Sequence, residues 1–227
     1  MCIKYYLEQH IADERFGFVS GKGTTEAIMT LRNVIEKSVK RQKSMRNHLT
    51  PWIMIPCGQH YFGVPPHLIW LLKRLYDETE RVIRVGNDHT APFSFERGFR
   101  QCCGLSPLLF IICGEKIMRL VEIALKNRGG CIVGGRAIWN LRYADDTTLL
   151  AKSSEKLQHQ VNELQKISLL LRLEINSGKT CMMVIDPADI GTQRVLIDGK
   201  EIGRVNKFKY LGSLVLGFGK QKTSAWT

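Results

Sequence analysis

The chain has 227 residues, enough to bury a substantial core as one large domain or two small lobes. Its 33 basic and 21 acidic residues leave a net charge of +12, which favours a polyanionic partner. Seven cysteines without a C-x-x-C pair indicate reduced, mostly buried thiols in an intracellular protein. The longest apolar run, from 105 to 113, is interrupted by Ser106-Pro107 and too short to span a bilayer.

The N-terminal part contains a glycine-bearing stretch at 17–23 and then a predicted helix at 24–37. The helix is predicted because apolar residues recur at helical spacing, at positions 27, 28, 31, 34 and 35. It runs into a cluster of five basic residues within ten positions: Lys37, Lys40, Arg41, Lys43 and Arg46. Such a cluster indicates either a solvated basic face or a surface that binds phosphate.

Two further helices and a hairpin are predicted in the middle of the chain. The second helix begins at Pro65-Pro66 and runs through Leu75, since proline is favoured in the first helical turn. Residues 81–86 and 92–96 predict a hairpin around the turn signal Gly86-Asn87-Asp88. A long, mostly apolar helix then runs from Ser106-Pro107 to about Leu125.

Residues 138–150 carry the most informative pattern. Two β-rich runs, 138–143 and 146–150, flank Ala144-Asp145 and predict a hairpin whose turn presents Asp145 and Asp146. Mg²⁺ prefers oxygen ligands, and phosphoryl-transfer sites usually hold it with one or two carboxylates. The pair therefore indicates the magnesium site of a nucleic-acid polymerase, although Asp is also common in ordinary β-turns.

The C-terminal part continues the alternation of helices and short strands. A helix capped by Ser153 or Ser154 is predicted to end near Leu171, and β-rich runs follow at 180–185, 195–198 and 207–211. From Lys200 onward, six basic residues accompany only one acid, Glu201. The whole pattern predicts an α/β (α+β) fold with a small antiparallel sheet and packed helices.

Five segments of the chain occur in the order and spacing of a known family: residues 17–28, 98–110, 140–150, 173–180 and 208–213. On these motifs the chain, over roughly residues 5–214, resembles the reverse transcriptase domain of a non-LTR retrotransposon. The resemblance implies one partial domain of a right-hand polymerase. Its parts would be fingers over about 1–46, palm over 63–185, and a hairpin similar to the primer grip over 195–214, whereas 47–62 and 216–227 depart from the family.

The same resemblance implies roles for individual residues. Asp145 and Asp146 would hold catalytic Mg²⁺, and Lys179 would lie near the triphosphate and help to protonate the pyrophosphate leaving group. Contacts with nucleotide and template would come from Lys22, Arg100, Gln101 and Tyr143. Contacts with the nucleic-acid backbone would come from the basic cluster at 37–46, and the implied partners are an RNA template and a DNA primer or another nucleic acid.

One element of the family is missing from the sequence. Two-metal phosphoryl transfer in this family uses a further aspartate, on a strand expected at about residues 46–56. No Asp or Glu occurs between Glu36 and Asp77, and Pro51 and Pro56 disfavour a central strand there. Cys102 also stands where the family has glycine. We interpret the gap before Asp77 as the result of a local reading-frame shift.

Three functions are compatible with these observations. The first is a reverse transcriptase remnant that keeps the fold and a nucleic-acid surface but not nucleotidyl transfer. The second is a non-catalytic nucleic-acid-binding protein that uses the basic fingers and palm surface. The third is an active enzyme in which Asp77 or Asp88 replaces the lost ligand. All three imply an intracellular protein, cytoplasmic or nuclear, with no signal peptide, transmembrane segment or membrane partner.

Overall fold

The computed structural model describes residues 11–37, 42–50, 65–77, 80–91, 93–94, 105–126, 129–171, 173–185 and 194–216. The helices in these ranges are α1 (Thr24–Lys37), α2 (Pro66–Asp77), α3 (Ser106–Leu125) and α4 (Ser154–Leu170), with one 3₁₀ turn at Ser177–Lys179. All four predicted helices are confirmed. Ser153 caps α4, because its Oγ accepts a hydrogen bond from the Lys156 amide at 3.3 Å. Within the described ranges, no helix is both long and apolar enough to cross a bilayer.

The strands are short and mostly paired with near neighbours in the chain. In chain order they are β1 (Gln42–Thr50), β2 (Glu80–Arg81), β3 (Arg84–Val85), β4 (Asp88–His89), β5 (Phe93–Ser94), β6 (Cys131–Val133), β7 (Arg136–Ile138), β8 (Asn140–Tyr143), β9 (Asp146–Ala151), β10 (Glu174–Ile175), β11 (Cys181–Ile185), β12 (Leu196–Ile197), β13 (Lys200–Glu201), β14 (Gly203–Arg204), β15 (Lys207–Tyr210) and β16 (Ser213–Leu216). The predicted hairpin between 81 and 96 exists as two short ladders, β2 with β5 and β3 with β4.

One main sheet organises these elements. Its strands lie in the order β14-β11-β1-β9-β8, and β10 also pairs with β1. Every pairing in it is antiparallel except the one between β11 and β14. The predicted class, an α/β (α+β) fold with a small, mainly antiparallel sheet and packed helices, is confirmed.

Strand β1 corrects a prediction. We expected the prolines to keep residues 46–56 out of a central strand, yet β1 lies between β9 and β11 and includes residues 46–50. The reason is positional: β1 spans Gln42–Thr50, and neither proline belongs to it. The strand also places Lys43 and Arg46 in the middle of the sheet.

The two faces of the sheet are covered by different layers. Leu149 and Ala151 of β9 join the core cluster that contains α3 and α4, whereas Leu150 joins the cluster that contains α1 and the β15–β16 hairpin. Met182 and Met183 of β11 divide in the same way. Because side chains alternate across a strand, these apolar runs serve both cores, and the sheet is buried on both faces.

Candidate active site

The acidic residues lie at the turn of the β8–β9 hairpin. Tyr143 pairs with Asp146, so Ala144 and Asp145 form a two-residue turn. Asp145 is exposed, whereas Asp146 is buried at the first position of β9. Ala144 has φ of +50°, a left-handed conformation that L side chains seldom adopt. Such strain persists only where surrounding contacts hold it.

Residues 15–17 supply those contacts. A Cβ added to Gly17 would lie 2.3 Å from the Ala144 amide nitrogen, so only glycine permits this close backbone approach. Arg15 Nη2 donates a hydrogen bond to the Ala144 carbonyl at 3.1 Å. The same segment lies beside β8, since the Phe16 amide donates to the Arg142 carbonyl at 2.9 Å. Residues 15–17 thus hold the acidic turn through contacts with the backbone of Arg142 and Ala144.

Three buried charged residues connect the acidic turn with helix α3. Glu115 of α3 accepts two hydrogen bonds from Arg142 of β8, at 2.8 and 3.3 Å, and one from the Ala12 amide at 3.1 Å. The Arg15 guanidinium carbon lies 5.8 Å from the centre of the Phe110 ring. Gly114 leaves room for Arg15, because a Cβ there would lie 3.1 Å from Nη1. We call Arg15, Arg142 and Glu115 the charge cluster.

Burial weakens the Arg15 cation but does not remove its charge at neutral pH. Desolvation, and then the nearby Arg142 charge, lower the pKa of Arg15 to about 9. Glu115 and Asp145 act in the opposite direction and raise this pKa. The acidic turn and the charge cluster are therefore electrostatically connected.

Strand β1 lies directly beside the acidic hairpin. Its register places His48 opposite Asp146 and Asn47 opposite Thr147. Cross-strand partners lie about 4.5–5.5 Å apart at Cα, so position 48 is the closest backbone position on β1 to Asp146. The sequence of β1, QKSMRNHLT, contains no acid.

The β8–β9 hairpin offers a metal ion two carboxylates, those of Asp145 and Asp146. Within the part of the chain that the structure describes, no group of three His, Cys, Asp or Glu side chains could hold a metal ion. Asp88, one proposed substitute, lies exposed on the separate β3–β4 ladder. Asp145 and Asp146 could hold a single Mg²⁺ together with substrate phosphates and water.

The other predicted site residues are distributed as follows. Lys179 is exposed at the end of the 3₁₀ turn that leads into β11, and its amide donates to Asn176 Oδ1 at 3.1 Å. Because β9 and β11 both pair antiparallel with β1, they run in the same direction, and Lys179 and Asp146 lie at the same end of the sheet. Two strand spacings, roughly 10 Å, separate β9 from β11. Tyr143 is partly buried and packs against the core cluster that contains α1 and the β15–β16 hairpin, which we call the α1-side core.

Lys22 is engaged near the turn rather than extended into solvent. Its Nζ donates to the Asp13 carbonyl at 3.0 Å and lies 5.8 Å from the Phe16 ring centre. Arg136 binds the Asp13 carboxylate at 2.9 Å, and this contact, followed by the Lys22 charge, lowers the pKa of Asp13. A template contact would have to compete with Asp13 for Lys22.

Several predicted residues lie outside this description. Arg100, Gln101, Lys40 and Arg41 fall outside the described residues. Lys37 ends α1, and Lys43 and Arg46 belong to β1, where the backbone position is known. The roles of these residues stay predictions.

Sequence reasoning missed the residues that support the turn: Arg15, Gly17, Gly114, Glu115 and Arg142. A signal was present for one of them, because Glu115 is an acid on the apolar face of α3, four residues after buried Ile111 and three before buried Met118. A charge at such a position indicates a buried partner. No comparable signal identified Arg15, whose burial depends on contacts distant in sequence.

Comparisons with known proteins agree with this architecture. A family model described as reverse transcriptase (RNA-dependent DNA polymerase) matches residues 2–215. One relative is the Retrovirus-related Pol polyprotein from type-1 retrotransposable element R2 of Nasonia vitripennis, 28% identical over 137 residues, which are 54% of this chain and 13% of that protein. Another is the Transposon TX1 uncharacterized 149 kDa protein of Xenopus laevis, 29% identical over 111 residues, 47% of this chain and 8% of that protein.

The matched segments are a small part of both relatives, 13% and 8% of their lengths. Both relatives are non-LTR elements, as the motif order indicated. The match over residues 2–215 shows that the chain belongs to the reverse transcriptase (RNA-dependent DNA polymerase) family.

Proposed function

We propose that the chain is a reverse transcriptase domain, derived from a non-LTR retrotransposon, that has lost nucleotidyl transfer. One observation carries this proposal: the acidic hairpin is intact, but the strand paired with it has no acid, and its residue opposite Asp146 is His48. A complete sheet with an incomplete ligand set is what loss of one catalytic motif would leave.

The proposal follows from the charge that the reaction requires. Divalent ions in this family would neutralise developing phosphate charge and lower the pKa of the attacking hydroxyl. Asp145 is exposed and Lys179 lies at the same end of the sheet, so phosphate groups could still reach both. Without a third carboxylate the hydroxyl is not activated, and positioning by the remaining residues does not compensate.

Primer extension tests the proposal. The reaction would contain primed RNA template, four deoxynucleotides and Mg²⁺ or Mn²⁺, and would compare the chain with Asp145→Asn and with Asp88→Asn, an exposed acid on another ladder. We expect no extension from any of the three, a deficit of several orders of magnitude relative to an intact enzyme. Extension that is lost in Asp145→Asn and kept in Asp88→Asn would refute the proposal and favour a substitute ligand.

The parent nucleotide sequence offers a second test, of origin. We propose that a local reading-frame shift replaced residues 47–62 and that the tail at 216–227 departs from the family in the same way. A shifted frame that encodes an aspartate-bearing strand near residue 50 would support decay of a transposon. A parent sequence without such a frame would contradict it.

A second candidate function is nucleic-acid binding without catalysis. It is favoured by the β15–β16 hairpin, in which Lys207 and Lys209 are exposed while Tyr210 is buried in the α1-side core. Lys200 and Arg204 are also exposed on the strands just before it. A rigid strand with alternating lysines can follow a phosphate backbone, and such binding depends little on sequence.

Salt titration tests this second function. The affinity of labelled RNA should fall steeply with salt, and the double variant Lys207→Gln/Lys209→Gln should lower the slope by about 0.7 per lost contact with a single strand. The matched control is Lys156→Gln/Lys166→Gln on α4, which covers the opposite face of the sheet. Equal effects of the two double variants would mean that net charge, rather than this hairpin, determines binding.

A further inference from the structure

A buried arginine lies directly beneath the acidic turn. The Arg15 side chain is 2% exposed and binds the Ala144 carbonyl through Nη2. Its Nε has no hydrogen-bond partner among the described residues. Burying a cation with an unused donor is costly, so the folded chain must contain a compensating interaction.

Within the charge cluster the positive charges exceed the negative ones by one, and outside the cluster the turn contributes buried Asp146 and exposed Asp145. Arg15 and Arg142 contribute two positive charges, and Glu115 contributes one negative charge that is already bonded to Arg142. Removing charges from water without a partner is strongly destabilising. Asp145 directly follows the Ala144 carbonyl that Arg15 binds, and its carboxylate favours the charged form of Arg15.

The turn itself also needs support. Ala144 is held at φ of +50°, and the adjacent residues Asp145 and Asp146 both carry carboxylates. Two neighbouring negative charges repel each other unless a cation lies nearby. Arg15 provides a cation and a hydrogen bond at the strained residue, so one side chain meets both needs.

We propose that Arg15 is the built-in counter-ion of the acidic turn and its positioning residue: it balances Asp145 and holds Ala144 without a metal ion, and thereby weakens the turn's affinity for divalent cations. This proposal rests on the proposed role of Asp145 and Asp146 as cation ligands. It predicts that removing the positive charge of residue 15 and shortening its side chain have different effects on Mn²⁺ affinity.

The first experiment is a metal-free stability cycle. Unfolding would be measured with EDTA for the chain, Asp145→Asn, Arg15→Met and the double variant. Asp145→Asn should lower the folding equilibrium constant about two- to fivefold when Arg15 is present, the scale of a partly exposed charge pair. It should have no such effect in the Arg15→Met background, because the cation is gone. Asp145 is exposed, so its substitution preserves the fold.

The second experiment measures Mn²⁺ affinity by electron paramagnetic resonance. Arg15→Met removes the charge and should tighten Mn²⁺ binding severalfold, whereas Arg15→Lys keeps the charge and should leave the affinity unchanged. A purely structural role for Arg15 would instead weaken binding in both variants. Arg136→Gln, which removes an exposed cation bound to Asp13, is the control for a general loss of positive charge.

Clear results would overturn the proposal. An Asp145→Asn substitution that stabilises the chain, or that has the same effect with and without Arg15, would show that the two residues are not coupled. Mn²⁺ affinity that falls in Arg15→Met, or rises equally in Arg136→Gln, would also contradict it. If no variant binds Mn²⁺, the proposed metal role of the acidic pair fails, and the stability cycle still decides the role of Arg15. If Arg15→Met does not fold, Arg15→Gln, which also removes the charge, takes its place in the cycle, and the proposal is refuted if Asp145→Asn has the same effect with and without the Arg15 charge.

Discussion

The acidic hairpin and strand β1 are neighbours in one sheet but differ in what they keep. The hairpin has its turn, its two carboxylates and a buried support made of Gly17 and the charge cluster. Strand β1 keeps only its backbone position between β9 and β11, without an acid.

This difference follows from what each element requires of its sequence. A central strand needs backbone hydrogen-bonding groups and residues that tolerate extended conformation, and many sequences satisfy that. A metal site needs particular side chains at particular positions. A changed segment can therefore still complete a sheet while it loses the chemistry. Substitutions in the hairpin support and in β1 test this difference.

The largest expected effect concerns the charge cluster. Glu115→Gln leaves Arg142 buried without its anion and removes the negative charge nearest to it, so the free energy of unfolding should fall by about 3–5 kcal/mol. Urea unfolding would measure it. The control is Glu122→Gln on the same helix but less buried, which should change the free energy by about 0.5 kcal/mol or less. Similar losses in both variants would mean that the cluster does not support the hairpin.

A smaller effect is expected where the N-terminal segment meets the turn. Gly17→Ala places a methyl group against the Ala144 amide, and the backbone must shift, at a cost of about 1–3 kcal/mol. Amide chemical shifts of Ala144 and Asp145 should move. Gly203→Ala is the matched control, because a Cβ there meets nothing within 4 Å. Unmoved amides in Gly17→Ala would contradict the close contact.

The smallest effect concerns strain. Ala144→Gly removes a left-handed strain of about 1–2 kcal/mol and adds a backbone entropy cost of about 0.5–1 kcal/mol, so the melting temperature should stay constant or rise slightly. Ala151→Gly, on the buried strand β9, should instead lower it. A lower melting temperature for Ala144→Gly would show that the turn is not strained.

Much of the fold was predictable because its signals are local. Helices α1, α3 and α4 follow the spacing of their apolar residues, and the β8–β9 hairpin follows two β-rich runs around a short turn. The fold class followed from their order. The local sequence pattern was sufficient to predict these elements, because each is stabilised in part by contacts between residues close in sequence.

The central place of β1 was not predictable in this way. Its pairing partners β9 and β11 lie about a hundred residues or more away in sequence, and its apolar content gives no clear strand period. The prolines were interpreted as excluding the strand, although they lie beyond its end. The hairpin and the place of Asp145 in its turn were predicted correctly, whereas Asp146 is the buried first residue of β9 and not part of the turn. Arg15 and Gly17 act through contacts that join residues over 120 positions apart.

Strand β1 has no acid beside Asp146, and the number of bound Mn²⁺ ions shows whether this leaves the metal site incomplete. The titration would compare the chain with His48→Asp and with Asn47→Asp, which adds the same charge to the other face of the strand because side chains alternate. We expect at most one weakly bound ion in the chain and in Asn47→Asp, and tighter or additional binding in His48→Asp. Two tightly bound ions in the unaltered chain, or identical binding in the two variants, would contradict the account.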